Sequence, residues 1–214
     1  MDQNDVGGRD QELSRLYHAL MNPLTVVLGY AQLLAARKDL EDDVRTQVTR
    51  ILEEARECSR IIERARAASP RPRTTAPSAS GLHVVPSEPS GSPRRRVLVV
   101  DDEPVIQKLT AEALGGENDV VGVSNANDAA RRLLAEDFDV VLLDLSLGGD
   151  VTGRSLYETL LVQQPEVAER VVFVTGGIVD AETQEFVTHS GRDYLQKPFH
   201  LRTLREVVAR VGSL

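Results

Sequence analysis

The chain has a single cysteine, Cys58, so it holds neither an internal disulfide framework nor a Cys-rich zinc site. It has no apolar run near the roughly 18 residues of a membrane span, and no secretory signal opens it. It has no excess of basic charge either. A formal net charge of −8 argues against nucleic acid or an anionic membrane as a direct partner. What is left is an ordinary globular composition, 41% apolar and 27% charged over 214 residues, enough for one large or two small domains. A cytoplasmic setting fits these absences.

Composition then divides the chain. Residues 69–93, SPRPRTTAPSASGLHVVPSEPSGSP, are dense in Pro and Ser with almost no large apolar side chains. Such a stretch cannot bury enough surface to order itself and is expected to be a flexible tether. Charge is segregated too: residues 1–68 carry a net −2, residues 69–96 a net +4 and residues 97–214 a net −10. The expected organisation is a helical module over 1–68, a linker over 69–93 and a second domain over 94–214.

The first module reads as two helices. Val44, Val48, Ile51, Ala55, Cys58, Ile62 and Ala65 alternate at spacings of four and three, the seam pattern of a coiled coil or bundle. Leu13, Leu16, Leu20, Leu24, Val27, Ala31 and Leu34 form a looser stripe before it. The polar RKDLEDD stretch suits a tight connection, giving an antiparallel hairpin. Two helices cannot enclose a core, so the hairpin is expected to form a homodimeric four-helix bundle, with Cys58 as a small buried hydrophobe. His18 lies two residues from both Leu16 and Leu20, about 200° around the helix from either. It should project into water, within reach of a partner.

The second module alternates strand and helix signals. RRVLVV, FDVVLLD and RVVFVTG are short continuous apolar runs, the mark of strands buried on both faces of a parallel sheet. Segments of helical period lie between them, so a doubly wound α/β domain follows, with function at the C-terminal strand ends. Asp101, Asp102 and Glu103 follow VLVV, Asp144 follows VVLL, Thr175 follows VVFV, and Lys197-Pro198 follow DYLQ. These ends converge on one crevice. Aspartates so close together repel unless a cation neutralises them, and Mg²⁺, a hard ion taking oxygen ligands, suits the task.

VLVVDDEP, VVLLDLSL, VVFVTGG and YLQKPF together resemble the receiver domain of two-component response regulators, a likeness covering residues 95–213. The resemblance implies a flavodoxin-like, five-stranded fold and an aspartyl-phosphate intermediate. It makes Asp144 the phosphoacceptor. Asp102 and Asp144 bind Mg²⁺ directly, Asp101 assists through water, and Ser146 offers its backbone carbonyl. Thr175 holds a phosphoryl oxygen, Lys197 pairs with its charge, and Tyr194 matches the aromatic switch position. LSLGGDVTG after Asp144 lacks the proline usual in that loop, which leaves the dephosphorylation rate open.

HALMNPL resembles the phosphoacceptor box of the dimerisation and histidine-phosphotransfer domain of sensor kinases, over residues 9–68. His18, Asn22, Pro23 and Leu24 match, and the resemblance explains a helical proline just below the histidine. His18 becomes a candidate phosphotransfer residue and Asn22 a candidate assistant. Ala19 stands where that family carries an acid, and the glycine pairs at 7–8, 115–116, 148–149 and 176–177 form no nucleotide lid. No autonomous ATP-dependent kinase is expected. The resemblances imply a phosphorelay protein served by a separate histidine kinase or phosphotransfer protein. In the alternative, the hairpin only dimerises or docks, or acts as a phosphatase for a partner regulator. A tether spanning about 25–30 Å would let the receiver dock over His18.

Overall fold

The computed structural model describes residues 4–67, 94–176 and 181–213; the expected linker at 69–93 lies outside them. Two long helices come first, α1 (Asn4–Ala35) and α2 (Asp42–Ala67). A connection at residues 36–41 folds α2 back along α1. α1 runs unbroken through Pro23. The hairpin seam sets Leu28 and Ala31 against Val48, Leu52 and Ala55, with Leu24 and Ala35 at its edges.

The heptad pattern of α2 splits between two surroundings. Val48 and Ala55 face α1, whereas Val44, Ile51 and Cys58 are exposed. Residues seven apart drift only about 20° around a helix, so these three share one face, turned away from α1. In the single chain Cys58, expected as a small buried hydrophobe of a dimeric bundle, is exposed on the face it shares with Val44 and Ile51, and its neighbour Ser59 is buried.

α1 presents three faces. Leu16, Leu20, Val27 and Leu34 form an exposed apolar line. Leu24, Leu28 and Ala31 meet α2. The third face, about 200° from Leu16, carries His18, Asn22, Thr25, Gly29 and Gln32, and it lies against the α/β domain.

That domain runs β1 (Arg95–Val100), α3 (Pro104–Leu114), β2 (Asn118–Val123), α4 (Ala126–Ala135), β3 (Val140–Asp144), α5 (Gly153–Gln163), α6 (Pro165–Glu169), β4 (Val171–Thr175), α7 (Ala181–Ser190), β5 (Tyr194–Gln196) and α8 (Leu201–Val211). The five strands are all parallel, in the order β2-β1-β3-β4-β5, a flavodoxin-like sheet. β3 and β4 are buried at every position, as their unbroken apolar runs require. One face of the sheet packs Leu98, Val141 and Phe173 against α4 and α5. The other packs Val97, Leu142 and Val172 against α8 and the end of α3. Asn125 caps α4 by accepting from the Asp128 amide (2.8 Å), and Thr152 caps α5.

Candidate functional site

β1 and β3 are neighbours, but the chain leads from them to opposite sides of the sheet, so a crevice opens beyond their C-terminal ends. Asp101 and Asp102 follow β1, and Asp144 ends β3. Thr175 ends β4, and its carbonyl accepts from the Lys197 amide (2.7 Å), which ties the residue after β5 to the same crevice.

Lys197 is wholly buried, and Asp101 and Asp144 are 2% and 1% exposed. Charges so enclosed need partners. The Lys197 ammonium donates to Asp101 Oδ2 and to Asp144 Oδ2, both at 2.7 Å. Burial raises the Asp101 carboxyl above the ordinary carboxylate range; the charge of Asp144 adds to this, against the pull of Lys197 and the Glu103 amide. For Lys197 burial works downward, but the charges of Asp144 and Asp101 outweigh it and hold the pKa above the usual lysine value. Two carboxylates and one ammonium leave the pocket negative, and exposed Asp102 lies beside it, its Oδ2 accepting from the Gly148 amide (3.3 Å). Ser146 turns its amide onto Asp144 Oδ1 (2.7 Å). Oxygen donors with uncompensated charge fit a hard divalent cation.

α1 lies over this crevice. A ring nitrogen of His18 and carboxylate oxygens of Asp102 and Asp144 all fall within 4.8 Å of one another. His18 faces the acids rather than water, because a face turned from the leucine stripe is here turned into the α/β domain. Asn22, 1% exposed, donates from Nδ2 to His18 Nε2 (2.9 Å) and to Glu103 Oε1. Its Oδ1 accepts from Lys197 (3.5 Å). With the amide donating, Nε2 is the acceptor, and the neutral ring carries its proton on Nδ1. Nδ1 is buried without a hydrogen-bond partner among the described residues, against Gly176. A Cβ at Gly176 would stand 2.9 Å from it.

The crevice therefore gathers Asp101, Asp102, Asp144, Thr175, Lys197, His18 and Asn22, while Tyr194 stands apart on β5, 47% exposed. Glu103, already grouped with Asp101 and Asp102 at the end of VLVV, joins the site, and so does Gly176, which has no signal of its own in the sequence. Glu103 reads as one more acid of a strand-end loop, and Gly176 matters only through what approaches it.

Residues 97–209 match the family model of the response regulator receiver domain, and residues 9–70 match that of the His Kinase A (phospho-acceptor) domain. The chain belongs to the response regulator receiver family, with a His Kinase A hairpin ahead of the receiver, and is a two-component signalling protein. Neither match is to an ATP-binding domain. The chain is 32% identical to response regulator protein PilR of Pseudomonas aeruginosa over 117 residues, 54% of this chain and 26% of PilR. It is 30% identical to sensor protein GacS of Pseudomonas syringae pv. syringae over 145 residues, 65% of this chain and 15% of GacS. It spans less than half the length of either. The solved receiver domain protein (CheY-like) of Methanospirillum hungatei JF-1 matches with a TM-score of 0.51 at 28% identity, covering 56% of this chain and 95% of that one. Receiver domains bind Mg²⁺ at this acidic site, and the residues present here fit it. No described helix is long and apolar enough to cross a membrane.

Proposed function

We propose that this protein is a phosphorelay station. Asp144 takes a phosphoryl group from a separate histidine kinase or phosphotransfer protein, and His18 exchanges that group with it. The supporting observation is the approach of a His18 ring nitrogen to within 4.8 Å of the acids. A phosphorus bonded on one side and about 3–3.5 Å from the incoming atom on the other fills a gap of that size. In one direction the acyl O–P bond at Asp144 breaks as phosphorus bonds to the unprotonated Nε2 of His18, which gives up its hydrogen bond from Asn22 while Nδ1 keeps its proton; the reverse follows the same path. The protein's share is positioning and charge neutralisation. Lys197 is already fixed beside Asp144, and the Thr175 hydroxyl holds a phosphoryl oxygen. Asp101, Asp102, Asp144 and the Ser146 carbonyl would hold Mg²⁺, which when bound neutralises phosphoryl charge. Tyr194 serves as the switch ring.

The Asn22 amide inside the crevice supports a second reading, in which His18 and Asn22 assist hydrolysis of the acyl phosphate of Asp144 or of a partner regulator. One experiment separates the two. Purified protein is incubated with Mg²⁺ and a small acyl phosphate, and mass spectrometry scores Asp144 and His18. A relay gives label on both residues, and Asp144→Ala removes it from both. Label confined to Asp144, with a longer lifetime in His18→Ala, supports hydrolysis. Label confined to Asp144 with an unchanged lifetime reduces the hairpin to a docking element.

The exposed line Leu16, Leu20, Val27 and Leu34 on α1, with Val44 and Ile51 on α2, supports a homodimeric four-helix bundle. Replacing Ile51 with Asp puts a charge on that surface. Sedimentation should then give half the mass of the unmodified protein, while labelling of Asp144 by acyl phosphate continues. An unchanged mass would place the dimer contact elsewhere.

A further inference from the structure

Gly29 sits in the interior of α1, six residues before its end, where a glycine weakens a helix and caps nothing. Its reason lies in the α/β domain. A Cβ at this position would come within 2.7 Å of Leu109 Cδ1 and closer still to Cδ2. Leu109, on α3, is completely buried, yet it belongs to neither apolar cluster of the sheet. The hairpin closes over its branched end. That end fills the notch that Gly29 leaves in the surface of α1. One turn further on, Gln32 Oε1 accepts from the Leu201 amide at the start of α8 (2.9 Å), and Leu33 packs against the apolar cluster that holds Phe199 and Leu201.

We propose that Gly29 and Leu109 are a size-matched recognition pair, which decides that this hairpin seats this receiver with its aspartate at His18. The proposal rests on the relay reading for its consequence, but its contact is remote from the chemistry. Gly29 is eleven residues from His18, about 16 Å along the helix. The pair acts through the placement of α1 on the receiver, so both members are positioning residues. Receivers with a larger side chain at the position of Leu109 collide with α1, and those with a smaller one leave the notch empty.

The test uses the full chain as Gly29→Ala, Leu109→Ala and the double variant, with two readouts. Hydrogen exchange of the α3 segment 104–114 reports docking without any phosphate. Mass spectrometry after acyl phosphate treatment reports the share of label reaching His18, and labelling of Asp144 confirms an intact receiver. Alanine in place of glycine inside a helix ordinarily strengthens the helix, so helix propensity predicts a gain where the pair predicts a loss. Gly29→Ala should speed exchange in α3 and cut transfer to His18 about tenfold, within the range for coupled neighbours. Leu109→Ala should also lose docking, and the double variant should recover both readouts in part, because the added methyl occupies one of the three vacated carbon positions. Losses that merely add, or a Gly29→Ala protein that behaves as wild type, overturn the pair. Coupling in exchange with no label on His18 in any variant keeps the pair and removes the relay. Label on His18 that ignores Gly29 does the reverse.

Discussion

Replacing Lys197 with Met lowers the unfolding free energy of the metal-free protein by about 3–5 kcal/mol, the usual cost of removing one partner from a buried ion pair. The side chain is wholly buried, and its ammonium is shared between Asp101 and Asp144 at 2.7 Å each. Methionine fills the space but leaves two enclosed carboxylates facing each other. Mg²⁺ restores a positive partner and stabilises whichever state binds it, so the loss should shrink when urea unfolding is repeated in excess Mg²⁺. An equal loss with and without the ion would show that packing, not charge, is what the lysine supplies.

The same variant changes the response to pH. Lys197 is held above the usual lysine value in the folded state. Its stabilising contribution is therefore complete below the unfolded value of about 10.4 and fades as pH rises through the higher folded one. Asp101 works the other way. Its folded carboxyl lies above the ordinary 3.8, so stability falls as pH rises from there through the raised value and stays reduced at neutrality. The wild-type protein should weaken above about pH 10; the Met variant should lack that alkaline component.

Gly176→Val should slow exchange between Asp144 and His18 by about 100-fold while leaving direct labelling of Asp144 in place. The first added carbon already stands 2.9 Å from His18 Nδ1 and 3.8 Å from its Cα, and valine carries two more. The backbone of α1 must then back away from the crevice. A displacement near 1 Å is enough for about a 100-fold loss when two reacting groups must meet. Small acyl phosphates need no helix above them, so rapid-quench measurement of both labels separates approach from chemistry. Gly176→Ala should give an intermediate rate. Equal exchange in all three proteins would mean that His18 does not reach Asp144 by the route over Gly176.

Much of this architecture is written locally. VLVV, VVLL and VVFV are apolar without alternation, and a short strand buried on both faces is the economical way to hide them. The acids, threonine and lysine lie at the ends of those runs, so a parallel sheet brings them together whatever the loops do. Heptad spacing in α2 likewise announces a packed helix. Hydrophobicity cannot say which partner each line of the heptad meets, however. Val48 and Ala55 went to α1, while Val44, Ile51 and Cys58 did not.

The amino-acid sequence by itself determined three buried strands, the acid cluster and a histidine turned away from the leucine stripe, because each follows from a period or from a residue at the end of a run. Tertiary structure decided where that histidine points. Water and a receiver crevice are equally compatible with a polar residue opposite an apolar stripe, and only the packing of α1 over α3 distinguishes them. It also decided that Gly29 and Gly176 matter. A glycine has no side chain to signal a role, and its importance is the space it leaves, which exists only once Leu109 or His18 has come to fill it.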